Sequence, residues 1–191
     1  MRAAVLAGGK SKRFGANKLL YRIGGKPLIM YAIERLLQAE MIESVFLVTS
    51  EENAGKFRHL GFEVIMDELS VGPIGGVYTA LAAGDVFIAA GDMPFIEPGL
   101  VDFIIERFAE SGRMACVPRW PNGYIEPLHA AYSRRFRRVL ARRIKNGSYE
   151  LNRAVREADS CYIPIENLPE RWKESFFNVN RKEDLKAFLR V

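Results

Sequence analysis

Short runs of consecutive apolar residues alternate along the chain with stretches whose apolar positions recur every three or four residues. Runs of the first kind predict strands covered on both faces, and stretches of the second predict helices with one buried stripe. Residues 2–7 form the first apolar run, closed by Gly8 and Gly9. Residues 27–39 follow, with Leu28, Ile29, Tyr31, Ala32, Ile33, Leu36 and Leu37 on one helical face. Pro27 suits the first helical position, where its missing N–H would be unpaired anyway. The alternation continues with a strand at 44–49, a helix at 51–60 stopped by Gly61, and a strand at 62–66. A helix at 74–83, a strand at 85–90 and a helix at 97–110 closed by Gly112 complete it. This rhythm predicts an α/β fold: a three-layer αβα sandwich around a mainly parallel, Rossmann-like sheet.

The C-terminal part is less regular. Residues 114–117 and 125–132 read as strands flanking a turn at Pro121-Asn122-Gly123. Two helical segments follow, the second opened by Ser148 and Glu150, and then short strands at 161–164 and 176–179. Asn180, with Glu183 three residues on, resembles a capping box in front of a terminal helix. Without a repeat, a low-complexity tract or a long linker, residues 1–191 are expected to form one domain.

Composition narrows the classes. Hydrophobic residues at 49% and charged residues at 27% exclude wholesale disorder. A chain of this length buries a core without disulfides or a structural metal. Cys116 and Cys161 supply neither a disulfide framework nor four zinc ligands, and are expected as small buried hydrophobes in a reducing compartment. No run approaches the roughly 18 apolar residues of a membrane span, and the first is too short for a signal peptide. The expectation is a cytoplasmic protein with no membrane partner. The net charge of +5 favours an anionic ligand. The densest basic stretch, Arg134, Arg135, Arg137, Arg138, Arg142, Arg143 and Lys145, has Phe136, Val139, Leu140 and Ile144 interleaved at helical spacing. It is a solvated basic face or a docking face for an anionic substrate or partner. Nucleic acid is disfavoured, because the chain lacks the signatures of its binding modules.

Three segments carry candidate chemistry. The first is Leu6-Ala7-Gly8-Gly9-Lys10-Ser11-Lys12-Arg13-Phe14-Gly15-Ala16-Asn17-Lys18. Its glycines let the backbone turn sharply after a buried strand and approach a nucleotide, while Arg13 and Lys18 bring cations that match phosphate oxygens. The glycine spacing fits neither a Walker loop nor a dinucleotide fingerprint. The second is Gly91-Asp92-Met93-Pro94, just beyond an apolar strand. Ligands of open α/β sheets sit at such strand ends, and a carboxylate there holds Mg²⁺ against phosphates. As a plain structural feature, Asp92 would be a turn or cap residue. The third, Asp67-Glu68-Leu69-Ser70-Val71-Gly72-Pro73-Ile74-Gly75-Gly76, joins a strand to a helix. It receives an anion at the helix start or a flat base against its glycines, or is simply a loop. Near the remaining strand ends stand Glu126-Pro127-Leu128-His129 and Phe177-Asn178-Val179-Asn180. His129, among apolar neighbours, is expected as a satisfied core or edge histidine. Asn180 already has a capping role, which makes Asn178 the better functional candidate of the two.

Together these segments resemble nucleotidyltransferases of the glycosyltransferase-A-like fold, also described as the nucleotide-diphospho-sugar transferase type. Within them the resemblance is to the molybdenum cofactor guanylyltransferases, over almost the whole chain. It rests on Leu6-Ala7-Gly8-Gly9, on Arg13-Phe14-Gly15-Ala16-Asn17-Lys18, and on Val64-Ile65-Met66-Asp67 followed by Gly72-Pro73-Ile74-Gly75-Gly76. Gly91-Asp92-Met93-Pro94 and Phe176-Phe177-Asn178-Val179-Asn180, leading to Glu183-Asp184-Leu185, extend it. The resemblance implies transfer of GMP from Mg–GTP to the terminal phosphate of molybdopterin, with pyrophosphate leaving. It implies that Leu6, Ala7, Gly8 and Gly9 line the GTP and that Arg13 and Lys18 meet its triphosphate. Asp67 and Gly75 would lie at the nucleoside, Asp92 at GTP and Mg²⁺, and Asn178 and Asn180 on the acceptor side. Thr49 stands where the family more often has Asn as a base contact, and Phe14 and Asn17 replace the usual Met and Asp. Docking to cofactor-biosynthesis or molybdoenzyme partners is a further implication. Two rivals remain: adenosylcobinamide-phosphate guanylyltransferase, with the same GTP chemistry on another phosphate, and a GTP-binding regulator without turnover.

Overall fold

The computed structural model describes residues 1–8, 17–181 and 183–185. In chain order its elements are β1 (Arg2–Leu6), a small ladder of β2 (Arg22–Ile23) with β3 (Lys26–Pro27), α1 (Leu28–Leu36), β4 (Ser44–Thr49), α2 (Glu51–Phe57) and β5 (Glu63–Met66). There follow α3 (Pro73–Ala80), β6 (Val86–Ala90), α4 (Pro98–Ser111), β7 (Ala115–Arg119), β8 (His129–Tyr132), α5 (Phe136–Lys145), α6 (Leu151–Glu157), β9 (Ser160–Pro164) and α7 (Glu170–Lys173). Seven strands make one sheet in the order β5-β4-β1-β6-β8-β7-β9. Only β8 runs against the others.

The sheet is buried on both faces because β1, β4 and β6 are mostly or wholly apolar. Ala3, Val5, Phe87 and Ala89 pack with Leu28, Ile29, Ile33 and Leu36 of α1 and with Leu100, Val101 and Ile104 of α4. The alternate residues Ala4, Phe46, Val86 and Ile88 pack with Ile74 and Val77 of α3, Leu140 of α5 and Leu151 of α6. The predicted three-layer αβα sandwich with a mainly parallel sheet is the architecture observed. None of the helices among the described residues is long and apolar enough to cross a membrane.

From β1 the chain passes outward to β4 and β5, and then returns to place β6 on the other side of β1. The strand order reverses there, so the crevice beyond the carboxyl ends of β1 and β6 is where such a sheet accepts ligands. Gly91 N–H donates to the Leu6 carbonyl across this point at 3.1 Å, which ties the two strand ends together.

The structure departs from the expected elements at several places. Pro27 precedes α1 as its cap and belongs to the β2–β3 ladder. The strand expected over 125–132 holds only from His129, because Pro127 has no N–H for the ladder. Ile125 makes an isolated bridge to Arg119 instead. Residues 176–179 form no strand: Phe176 and Val179 bury themselves against the α1–α4 layer without a strand partner. The reciprocal carboxylate at Asn180 comes from Asp184, not Glu183. Asp184 accepts from the backbone N–H groups of Asn180 (2.7 Å) and Arg181 (2.8 Å). The terminal helix expected beyond this lies largely outside the described residues. Arg143 leaves the basic face: it is buried and pairs with Glu157 at 2.7 Å and Glu150 at 3.3 Å. The two thiols sit side by side in register on β7 and β9, both free.

His129 is a core residue, but not a satisfied one. It is fully buried, its ring edge-on to Phe87 and Phe176 at 5.3 and 5.4 Å, and among the described residues neither ring nitrogen finds a partner. Burial holds its pKa down to about 3, against an ordinary 6.5. The folded chain therefore stays neutral at His129 while the unfolded chain takes up a proton below about pH 6.5. Stability must fall as pH drops through that window, by about 2 kcal/mol at pH 5 from this group alone. His129→Leu is expected to flatten the acid limb of a melting-temperature profile between about pH 7 and 5. An unchanged limb would assign the acid sensitivity to other groups.

Candidate functional site

At the crevice, β1 ends in Leu6 and the chain continues through Ala7 and Gly8. Ala7 is fixed on both sides: its N–H donates to the Val48 carbonyl at 2.8 Å, and its carbonyl accepts from the Thr49 hydroxyl at 2.8 Å. At Gly8, no described atom lies within 4 Å of where a Cβ would stand. Packing among the described residues does not require glycine there.

Across the crevice, Asp92 follows β6 and meets Lys18. The Lys18 ammonium donates to Asp92 Oδ2 at 2.5 Å and to the Val179 carbonyl at 2.9 Å. Both side chains are mostly covered, with 19% and 17% of their surface exposed, so each charge is only partly hydrated. Val179 N–H donates in turn to the Asp92 carbonyl at 2.9 Å. Asn17 aims the lysine: its Oδ1 accepts from Leu19 N–H at 3.1 Å and caps the single turn that begins at Lys18. A cation and a carboxylate, held at a sheet switch point beside Gly8, suit a phosphate together with a divalent ion.

On the β4–β5 side, Thr49 is buried and its hydroxyl is committed to Ala7. It shapes the end of β1 from beneath. Asp67 is 8% exposed and closes its own turn: Oδ1 accepts from Leu69 N–H (3.1 Å), Ser70 N–H (3.4 Å) and the Thr79 hydroxyl (3.3 Å). Gly75 makes room for it, since a Cβ there would stand 2.9 Å from Asp67 Oδ2. Asp67 and Gly75 thus form one packed unit at the start of α3.

On the β6–β8 side lies a cavity of about 450 Å³ lined by Met93, Leu128, Asn178 and Asn180. Tyr124, Glu126, Glu150 and Asn152 complete its polar wall. The Asn178 amide donates to the Phe176 carbonyl at 2.9 Å, which holds it at the rim. Glu126 Oε1 accepts from Trp120 Nε1 at 2.7 Å. Burial raises the Glu126 pKa, and the indole hydrogen bond pulls the other way.

The structure therefore brings Leu6, Ala7, Gly8, Lys18, Thr49, Asp67, Gly75, Asp92, Asn178 and Asn180 to one end of the sheet. Gly9 and Arg13 lie outside the described residues. Sequence reasoning missed the Val179 carbonyl and the Asn17 cap, which are backbone and local geometry, and it missed Trp120. Glu126 was visible only as part of a motif near a strand end.

Comparison with known proteins gives a consistent picture. The model of the MobA-like NTP transferase domain matches residues 3–161. A protein of Thermococcus gammatolerans named probable molybdenum cofactor guanylyltransferase is 63% identical, over 97% of this chain and 97% of its own. A protein of the same name from Thermococcus kodakarensis is 60% identical, over 97% and 92%. Among solved structures, the molybdopterin-guanine dinucleotide biosynthesis protein A of Archaeoglobus fulgidus superposes with a TM-score of 0.84 at 30% identity, covering 98% of this chain and 96% of that one.

Proposed function

The chain belongs to the MobA-like NTP transferase family, and on that premise we propose that it transfers GMP from Mg–GTP to the terminal phosphate of molybdopterin, releasing pyrophosphate. The observation that carries this reading is the Lys18–Asp92 pair at the switch point between β1 and β6. An oxygen of the acceptor's terminal phosphate forms a bond to the α-phosphorus. The bond from that phosphorus to its bridging oxygen breaks, and pyrophosphate leaves with the electron pair. The nucleophile is already ionised, so no strong base is required, and positioning with charge neutralisation supplies the rate.

In this reading Leu6, Ala7, Gly8 and Gly9 line the nucleotide, with Thr49 holding the Ala7 carbonyl in place. Asp67 and Gly75 shape the nucleoside side. Lys18 and Arg13 meet the triphosphate, and Asn178 and Asn180 flank the acceptor. Asp92 fits a Mg²⁺ ion, which commonly takes one or two carboxylates and completes its shell with water and substrate phosphates. Among the described residues no cluster of three acidic, histidine or cysteine side chains offers a protein-only cage. Bound at Asp92, the ion would neutralise phosphate oxygens and polarise the α-phosphorus. The family match over residues 3–161, with Asn178 and Val179 returning to the site, supports reading residues 1–191 as one nucleotidyltransferase domain.

The test is pyrophosphate release by the purified chain with Mg²⁺ and each of GTP, CTP and ATP, against molybdopterin and cobinamide phosphate as acceptors. Release with GTP and molybdopterin alone is the expected result. Release only with cobinamide phosphate keeps the chemistry and overturns the acceptor. Tight GTP binding without release from any pair overturns the enzyme reading of this chain.

A further inference from the structure

The cavity beyond Asp92 has a composition that says which part of an acceptor it takes. Among the described residues its lining holds two carboxylates, Glu126 and Glu150, and three carboxamides, Asn152, Asn178 and Asn180, with neither lysine nor arginine. Such a wall repels phosphate and accepts hydrogen bonds from a neutral, N–H-rich group. The phosphate end of an acceptor therefore belongs at Lys18 and Asp92, and its other end in the cavity. Glu150 is drawn outward to Arg143. Glu126 is not: its backbone N–H donates to Pro118 at 2.9 Å, and Oε1 accepts from Trp120 Nε1 at 2.7 Å. The indole is itself fixed, edge-on to Phe176 at 5.7 Å and hydrogen-bonded through its backbone to Tyr124 at 2.8 Å. The second Glu126 oxygen has no partner among the described residues.

We infer that Glu126, oriented by Trp120, recognises the aminopyrimidinone edge of the acceptor's pterin ring. This inference rests on the molybdopterin reading above. A pterin presents its ring N3–H and exocyclic amine side by side. That pair of donors matches a carboxylate, whose two oxygens offer about four acceptor positions. Burial raises the Glu126 pKa, and two ligand N–H groups donating to it would favour its charged form.

In steady-state pyrophosphate release with molybdopterin, Glu126→Gln turns one acceptor oxygen into a donor facing donors. Its KM for molybdopterin is expected to rise roughly 10- to 100-fold, the range for a lost charged hydrogen bond. The KM for GTP and the melting temperature are expected to stay at wild-type values. Trp120→Phe, which only loosens the carboxylate, should raise the molybdopterin KM less. As competitors of molybdopterin on the wild-type chain, free pterin is expected to inhibit at least about tenfold more strongly than lumazine, which carries an oxygen in place of the amine. The difference should vanish in Glu126→Gln. A wild-type molybdopterin KM in Glu126→Gln, or equal effects of pterin and lumazine, overturns the inference while leaving the transferase reading intact. Should Glu126→Gln fail to fold, Trp120→Phe and the competitor pair decide. GTP turnover with another phosphate but not with molybdopterin would fail the underlying reading, and this inference with it.

Discussion

Asp92→Ala is expected to lower Mg²⁺-dependent turnover by about 10³-fold or more, the loss when a charged group acting on the transition state is removed. Asp92 is the carboxylate at the switch point, and it stands within 2.5 Å of the Lys18 ammonium. Its two roles separate by measuring GTP affinity with and without the metal. Without a divalent ion, a carboxylate beside a triphosphate only repels it. The alanine variant should then bind GTP at least as well as the wild type. With Mg²⁺ the wild type should gain affinity and the variant should not. The two affinities therefore cross as metal is added, a pattern that a merely misfolded variant does not produce. Asp92→Asn should behave like the alanine variant in metal response, since the amide keeps the shape and loses the charge. Near-normal Mg²⁺-dependent turnover in Asp92→Ala would sink the assignment of this site.

Much of the fold was legible in the sequence, because the strongest patterns were those that tertiary packing reinforces. β1, β4 and β6 are mostly or wholly apolar since helices cover them on both faces, whereas a strand with one solvated face would alternate polar and apolar positions. Residues 176–179 show where the pattern misleads. Phe176 and Val179 are apolar because they pack on the α1–α4 layer, and alternation carries no information about whether a backbone partner is present. At 125–132 the proline was legible but its consequence depended on register: β8 pairs with β6 only from His129, opposite Ala89. The site divides the same way. Lys18 and Asp92 were readable as charged residues beyond strand ends, where packing an apolar core does not call for charge. The Val179 carbonyl was not, because a backbone acceptor has no residue type. Nor was the commitment of the Thr49 hydroxyl to Ala7, which depends on how β4 and β1 align.

Lys18→Ala carries the second large effect, expected to lower kcat/KM by about 10³-fold, from loss of a charge-assisted contact in both ground and transition states. The side chain works in two directions. Its charge meets Asp92 at the crevice, where the proposed reading places the phosphates, and its bond to the Val179 carbonyl ties the 176–180 segment to the end of β6. If Lys18 acts only as that tie, the variant should raise the acceptor KM and leave GTP affinity alone, since the segment carries Asn178 and Asn180 into the cavity proposed for the acceptor. If it also meets the triphosphate, GTP affinity should fall roughly 10- to 100-fold and kcat should fall with it. We expect the second result, because the ammonium is mostly covered and already sits against Asp92, the carboxylate proposed to hold the metal. Lys18→Arg tests the geometry: a planar fork should restore charge without fitting between Asp92 Oδ2 and the Val179 carbonyl. It is expected to recover GTP binding better than it recovers kcat. Titration of GTP affinity against salt then provides the last check. Loss of one phosphate-facing cation should make the Lys18→Ala variant less sensitive to ionic strength than the wild type. Equal salt dependence in the two would confine the lysine to the tie.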